Sequence, residues 1–219
     1  EQYRNQEQTY SIAKNQYLQL NTLASQELAV QETRTLIDMR ADILLTYIDI
    51  LTQLLSNTRG VPIENKNAQI ISLSLLRERV LLHKTKNLNS LDRLTLDAES
   101  ASFQTTYKQI EQNAYYTLSL IRIGEMQEAY DKMVVVRNAV ESSIQNSELS
   151  SAKKGEKERG FQEIDRTILS TQQDFNVTKQ KVLTKPGDSS LSSFSELSRS
   201  LAVTYSQISQ VVEFLQEVR

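Results

Sequence analysis

Glycine and proline, the residues that most often end helices, are scarce in this chain and fall at only four places. At average usage 219 residues would carry about 15 glycines and about 11 prolines. Here there are five and two. They occur as Gly60 with Pro62, Gly124, Gly155 with Gly160, and Pro186 with Gly187. The intervening stretches run for roughly 25 to 60 residues without a strong breaker, longer than ordinary globular helices. Such spacing predicts a few very long helices folded back on one another.

Composition agrees with helices that have one apolar stripe and a wide wet surface. Hydrophobic residues make up 39% of the chain, Ser and Gln together about a fifth, and mean hydropathy is −0.44. Net charge is −2 with both signs interspersed. This balance gives no electrostatic reason to bind nucleic acid or an anionic membrane. The longest uncharged run, residues 200–212, is too short and too polar to span a bilayer. There is no cysteine, which removes disulfides, thiol catalysis and thiolate metal sites and mildly favours an extracytoplasmic setting. The sequence opens on Glu1 rather than Met. A removed signal peptide, anchor or tag is the expectation.

A first helix is expected from about residue 2 to 57. Leu23, Val30, Ile37, Leu44 and Leu51 lie seven apart, flanked by Ala41, Ile48 and Leu55, which is a coiled-coil seam. Tyr3, Tyr10 and Tyr17 form an upstream column one residue out of register, read as drift of the stripe. Gly60 and Pro62 make a turn. A second helix is expected over about 64–122, weakest at Asn87-Leu88-Asn89-Ser90, whose side chains compete for backbone bonds. Gly124 is expected to end it. A third helix then covers about 125–183, with residues 150–160 forming a bend, frayed turn or short loop because each glycine costs a helix about 1 kcal/mol. Lys185-Pro186-Gly187-Asp188 is a turn, with Asp188 or Ser189 capping the last helix. In that helix Phe194, Leu201, Ile208 and Leu215 are seven apart.

The expected fold is all-α: an elongated antiparallel up-down bundle of three long helices plus a half-length fourth, packed like a coiled coil. Each long helix would span about 85 Å. One domain covers 1–219, with a three-helix half near 1–26 and 96–152 and a four-helix half near 27–95 and 153–219. Tyr3, Tyr10, Tyr17, Tyr107, Tyr115, Tyr116 and Tyr130 then cluster in the thinner half, Tyr17 level with Tyr107 and Tyr10 with Tyr115 and Tyr116. They serve either as amphipathic packing or as a contact surface for a partner.

No catalytic, cofactor or metal site is legible. His83 is the only histidine, and neither a zinc site nor a triad has its other members. Glu125, Glu128 and Asp131 complement a helix N-terminus rather than a di-iron site, which needs Glu-x-x-His pairs. Residues 153–160 carry four bases and two acids but lack the ending of a phosphate loop. The most hydrophobic stretch, residues 70–82, is interrupted by Arg77, Glu78 and Arg79 and reads as core. Asn176-Val177-Thr178 fits a glycosylation acceptor by pattern, inside a predicted helix.

Tyr10, Ala13-Lys14-Asn15-Gln16-Tyr17-Leu18, Thr22-Leu23, Ser25-Gln26 and Leu44-Leu45-Thr46-Tyr47 give the first quarter of the chain a resemblance. It resembles a group of uncharacterised secreted or membrane-anchored helical proteins of candidate-phyla-radiation bacteria. The resemblance implies an extracytoplasmic bacterial setting and carries no activity or binding residues.

The functional expectation is a non-enzymatic structural or protein-interaction module with an unspecified protein partner and scope for homo-oligomers. The alternative is a ligand-binding sensory domain of a membrane receptor, since an interhelical pocket needs no sequence signature.

Overall fold

The structure, a computed structural model, describes residues 1–89 and 93–218, which are helical throughout apart from short connections. The helices are α1 (Gln2–Leu20), α2 (Leu23–Asn57), α3 (Ile63–Asn89), α4 (Arg93–Gln145), α5 (Ser151–Thr184) and α6 (Leu191–Val218), with a 3-10 turn at Pro186–Asp188. There is no strand among the described residues. They pack as two compact units: residues 1–53 with 68–114, and residues 54–67 with 115–219.

The expected first helix is two helices. Asn21 takes the left-handed conformation (φ 47°, ψ 36°), and its N–H donates to the Tyr17 carbonyl at 2.9 Å. Thr22 and Ser25 then cap α2 reciprocally: the Ser25 N–H donates to Thr22 Oγ1 at 3.3 Å and the Thr22 N–H to Ser25 Oγ at 3.1 Å. Asparagine tolerates the left-handed region, and hydroxyl caps satisfy the free amides of a helix start. A chain reversal therefore forms without Gly or Pro. The register slip between the tyrosine and leucine columns marks this reversal, not drift of one stripe.

Gly124 does not end a helix. It lies buried in the middle of α4, which continues to Gln145. The reversal instead falls at residues 146–150, and Gly155 and Gly160 lie inside α5. Of the expected weak point, Asn87 and Asn89 close α3, whereas Ser90 lies outside the described residues. The turns at Gly60/Pro62 and Pro186/Gly187 stand where the breakers put them. The cap of α6 is Ser190 rather than Asp188 or Ser189: its Oγ accepts from the Ser193 N–H at 3.3 Å, and the Ser190 N–H donates to Ser193 Oγ at 2.8 Å.

The first unit is built from antiparallel neighbours. α1 folds back on α2, joined by Gln6 Nε2 to Glu32 Oε2 at 2.6 Å and Arg40 Nε to Tyr3 Oη at 2.7 Å. α2 meets α3 through Arg77 Nε to Asp49 Oδ1 at 2.8 Å, Lys84 Nζ to Asp42 Oδ1 at 2.5 Å and Asn87 Nδ2 to the Arg34 carbonyl at 3.1 Å. α3 meets α4 through Gln69 Nε2 to the Asn113 carbonyl at 3.2 Å and by His83 stacked on Phe103, centroids 4.0 Å apart. Hence α4 runs parallel to α2. The core follows the 3.6-residue period. On α2 it uses Ala41, Leu45, Ile48 and Leu51, and on α3 Leu73, Leu76 and Val80.

The second unit packs residues of α4 against α5 and α6. Its core includes Ile123, Met126, Met133, Phe161, Ile164, Phe175, Leu201, Ile208 and Leu215. Arg137 joins α4 to α5: its Nε and Nη2 each donate to an Asp165 oxygen at 2.8 Å, it pairs with Glu141, and it covers the Phe161 ring at 5.2 Å. Gln207 Nε2 donates to Asp174 Oδ2 at 3.1 Å and ties α6 to α5. The α2–α3 turn reaches α4 at a close backbone approach. A Cβ on Gly124 would lie 2.4 Å from the Arg59 carbonyl, and one on Gly60 (φ +76°) would lie 2.6 Å from the Gly124 carbonyl.

Candidate functional site

The fold-back of α1 decides where the seven singled-out tyrosines go. Within α1 the only residues shielded from solvent are Tyr3, Gln6, Tyr10, Ala13 and Tyr17. They recur every three or four positions, so they form the packing face. Tyr3, Tyr10 and Tyr17 are thus half-buried against neighbouring helices rather than displayed. Because α1 is reversed, Tyr3 and not Tyr17 shares a groove with Tyr107. Tyr115, Tyr116 and Tyr130 belong to the second unit. Tyr115 is half-buried beside Phe194 with centroids 6.1 Å apart, while Tyr116 and Tyr130 lie in the interior. Burial, with Asp131 nearby, pushes the Tyr130 hydroxyl above its ordinary pKa. Of the seven, only Tyr107 is largely exposed, at 52%.

Tyr107 lines a groove of about 930 Å³ in the first unit, together with Tyr3, Arg40, Ile43, Leu44, Ser100, Ala101, Phe103 and Gln104. The geometry follows from unequal helix lengths. α1 occupies the cleft between α2 and α4 as far as Tyr3, beside Arg40. Past that point the cleft is open. On α2 the groove takes in Ile43 (50% exposed), and Tyr47 (39%) and Ile50 (48%) follow it four and three residues on along the same side of the helix. Arg40 stands at the mouth, donating to Tyr3 Oη and lying 3.9 Å from Glu7. Lone exposed apolar residues are normal, but a contiguous row beside an aromatic-lined groove marks a contact site.

Sequence reasoning missed Ile43, Tyr47 and Ile50 because it placed a continuous helix over residues 2–57. The available signal was the six-residue step from Tyr17 to Leu23 beside Asn21-Thr22 and Ser25. His83 is 7% exposed and stacks on Phe103, a packing role. Lys84 bridges Asp42 and, at 3.4 Å, Asp38, and these carboxylates hold its ammonium above the ordinary pKa. Among the described residues no cluster of three His, Cys, Asp or Glu is arranged to hold a metal, and no helix is long and apolar enough to cross a membrane.

No family model, curated protein or solved structure matches the chain.

Proposed function

We propose that this chain is a non-enzymatic protein-interaction module that receives an amphipathic helix of a partner protein in the open α2–α4 groove. The observation that carries the reading is the exposed apolar groove lined by Ile43 on α2 and Tyr107 on α4, with Tyr47 and Ile50 further along the same side of α2, all 39–52% exposed. A groove between two parallel helices, already filled along part of its length by a third helix, is shaped for more of the same. Helix-in-groove recognition uses apolar anchors three and four residues apart. The residues near the mouth, Arg40 and Gln104, suit a polar rim. The cysteine-free composition supports an extracytoplasmic setting for this contact, and a bacterial one is what the resemblance of the first quarter of the chain implies.

A photo-crosslinking residue at Tyr47 and, separately, at Tyr107 tests the reading in the native host. The expected result is one partner polypeptide joined at both positions, lost on Ile43→Asp in a chain that keeps its helix content. Absence of any protein adduct at both positions contradicts it.

A second reading, small-ligand sensing, is favoured by the groove volume, which falls within the range of small-molecule pockets. Under it, a ligand library would raise the melting temperature of the native chain and not of the Ile43→Asp chain.

A further inference from the structure

We propose that α1 exchanges between two copies of this chain, forming a dimer in which each α1 sits in the α2–α4 cleft of the other copy. The exchange is independent of partner docking at the open groove. It requires only that the reversal at Asn21-Thr22 straighten.

The reversal is built to be reversible. Asn21 is the only non-glycine residue with positive φ among the described residues. The link is two residues long, and neither Gly nor Pro occurs anywhere in residues 1–57. Both flanks are helical, so straightening yields one continuous helix from Gln2 to Asn57 and adds backbone hydrogen bonds across the hinge. A short hinge between helix-forming segments is a low-cost route to exchange.

The hold on α1 is transferable. Its one fully buried residue is Ala13. Its bonds to α2 include Gln6 to Glu32, Tyr3 to Arg40 and the long Glu7–Arg40 pair. A pocket of about 280 Å³ lies under it, lined by Tyr10, Tyr17, Gln26, Val30, Thr33 and Leu96 among others. Each of these contacts is kept when the α1 of a second copy takes the same seat.

Exchange also supplies what the closed monomer lacks. Leu20 and Leu23 flank the hinge, 63% and 72% exposed. In a straightened helix they are three apart on one side. The antiparallel register of Tyr3 with Arg40, continued between two straight helices, has its dyad at the hinge. It sets Leu20 of one copy opposite Leu23 of the other. Two apolar residues left wet in the monomer thus gain partners in the dimer, and mass action then favours the dimer with concentration.

The absence of native cysteine makes the test clean. One chain carries Gln6→Cys, another Glu32→Cys. They are purified apart, mixed at high concentration through a partial unfolding step, and treated with a short bis-maleimide. The expected product is a covalent heterodimer in the dimer fraction of a sizing column. Asn21→Ala with Thr22→Ala removes the turn and its cap and should raise the dimer fraction about tenfold at fixed concentration. Asn21→Gly, which suits the turn, should lower it and keeps the closed fold available if the first variant aggregates. Monomers at every concentration in both the native and Ala-Ala chains would overturn the proposal. So would a dimer in which no interchain bridge forms.

Discussion

Gly124→Ala and Gly155→Ala are the same chemical change in the same kind of element, and the structure assigns them opposite signs. At Gly155 no atom lies within 4 Å of an added Cβ. Alanine there gains helix propensity, about 1 kcal/mol. At Gly124 the added Cβ would stand 2.4 Å from the Arg59 carbonyl, 2.5 Å from Thr58 Cγ2 and 2.7 Å from Val61 Cγ2. One obstacle is backbone, which a rotamer change cannot move. Overpacking of this kind costs about 3 kcal/mol at the upper end of the usual range. Subtracting the roughly 1 kcal/mol that alanine returns to α4 leaves a net loss of about 2 kcal/mol. Urea titration followed by circular dichroism measures both variants. Gly155→Ala should move the midpoint up and Gly124→Ala down, with unchanged slopes. Gly124→Ala as stable as the parent would refute the close approach.

Arg137→Lys keeps the charge but loses the planar fork on Asp165 and the cover over Phe161, so it should cost about 1 to 2 kcal/mol in urea titration. Alkaline sensitivity follows from Lys84 and Tyr130, whose pKa values are raised from 10.5 and 10.0 by the Asp42 and Asp38 carboxylates and by burial respectively. A group bound more tightly to its proton in the folded state contributes stability below its unfolded pKa and loses it as pH rises through the folded pKa. Stability should therefore fall as pH rises above about 10, and Lys84→Met should flatten that fall; an equal fall in both chains refutes the assignment. Phe175→Ala removes a ring that is 1% exposed and should cost about 3 to 5 kcal/mol, read as a drop in melting temperature.

Legibility in the sequence divided along physical lines. Helix interiors were readable because burial imposes a period: Ala41, Ile48 and Leu55, and Leu201, Ile208 and Leu215, are seven apart and buried. The turns at Pro62 and Pro186 were readable because proline cannot continue a helix. Gly124 was misread because glycine has two uses, breaking a helix and letting backbones meet, and only a contact distant in sequence distinguishes them. The reversal at Asn21-Thr22 was missed because asparagine and threonine signal turns weakly. That miss propagated to the site. Tyr3, Tyr10 and Tyr17 were seen as one column, correctly, but with α1 pointing the wrong way the open cleft at Ile43, Tyr47 and Ile50 could not be seen at all.

The direction of α1 is therefore what the groove, its proposed occupant and the exchange all depend on. Spin labels at Gln6 and Glu32, measured by dipolar spectroscopy on the monomer fraction diluted with unlabelled chain, read it directly. The fold-back predicts a separation set by neighbouring helices, about 8–10 Å between axes, lengthened only by the label linkers. A single straight helix across these 26 positions would hold the labels about 39 Å apart, and a dominant peak there in the monomer would contradict the account.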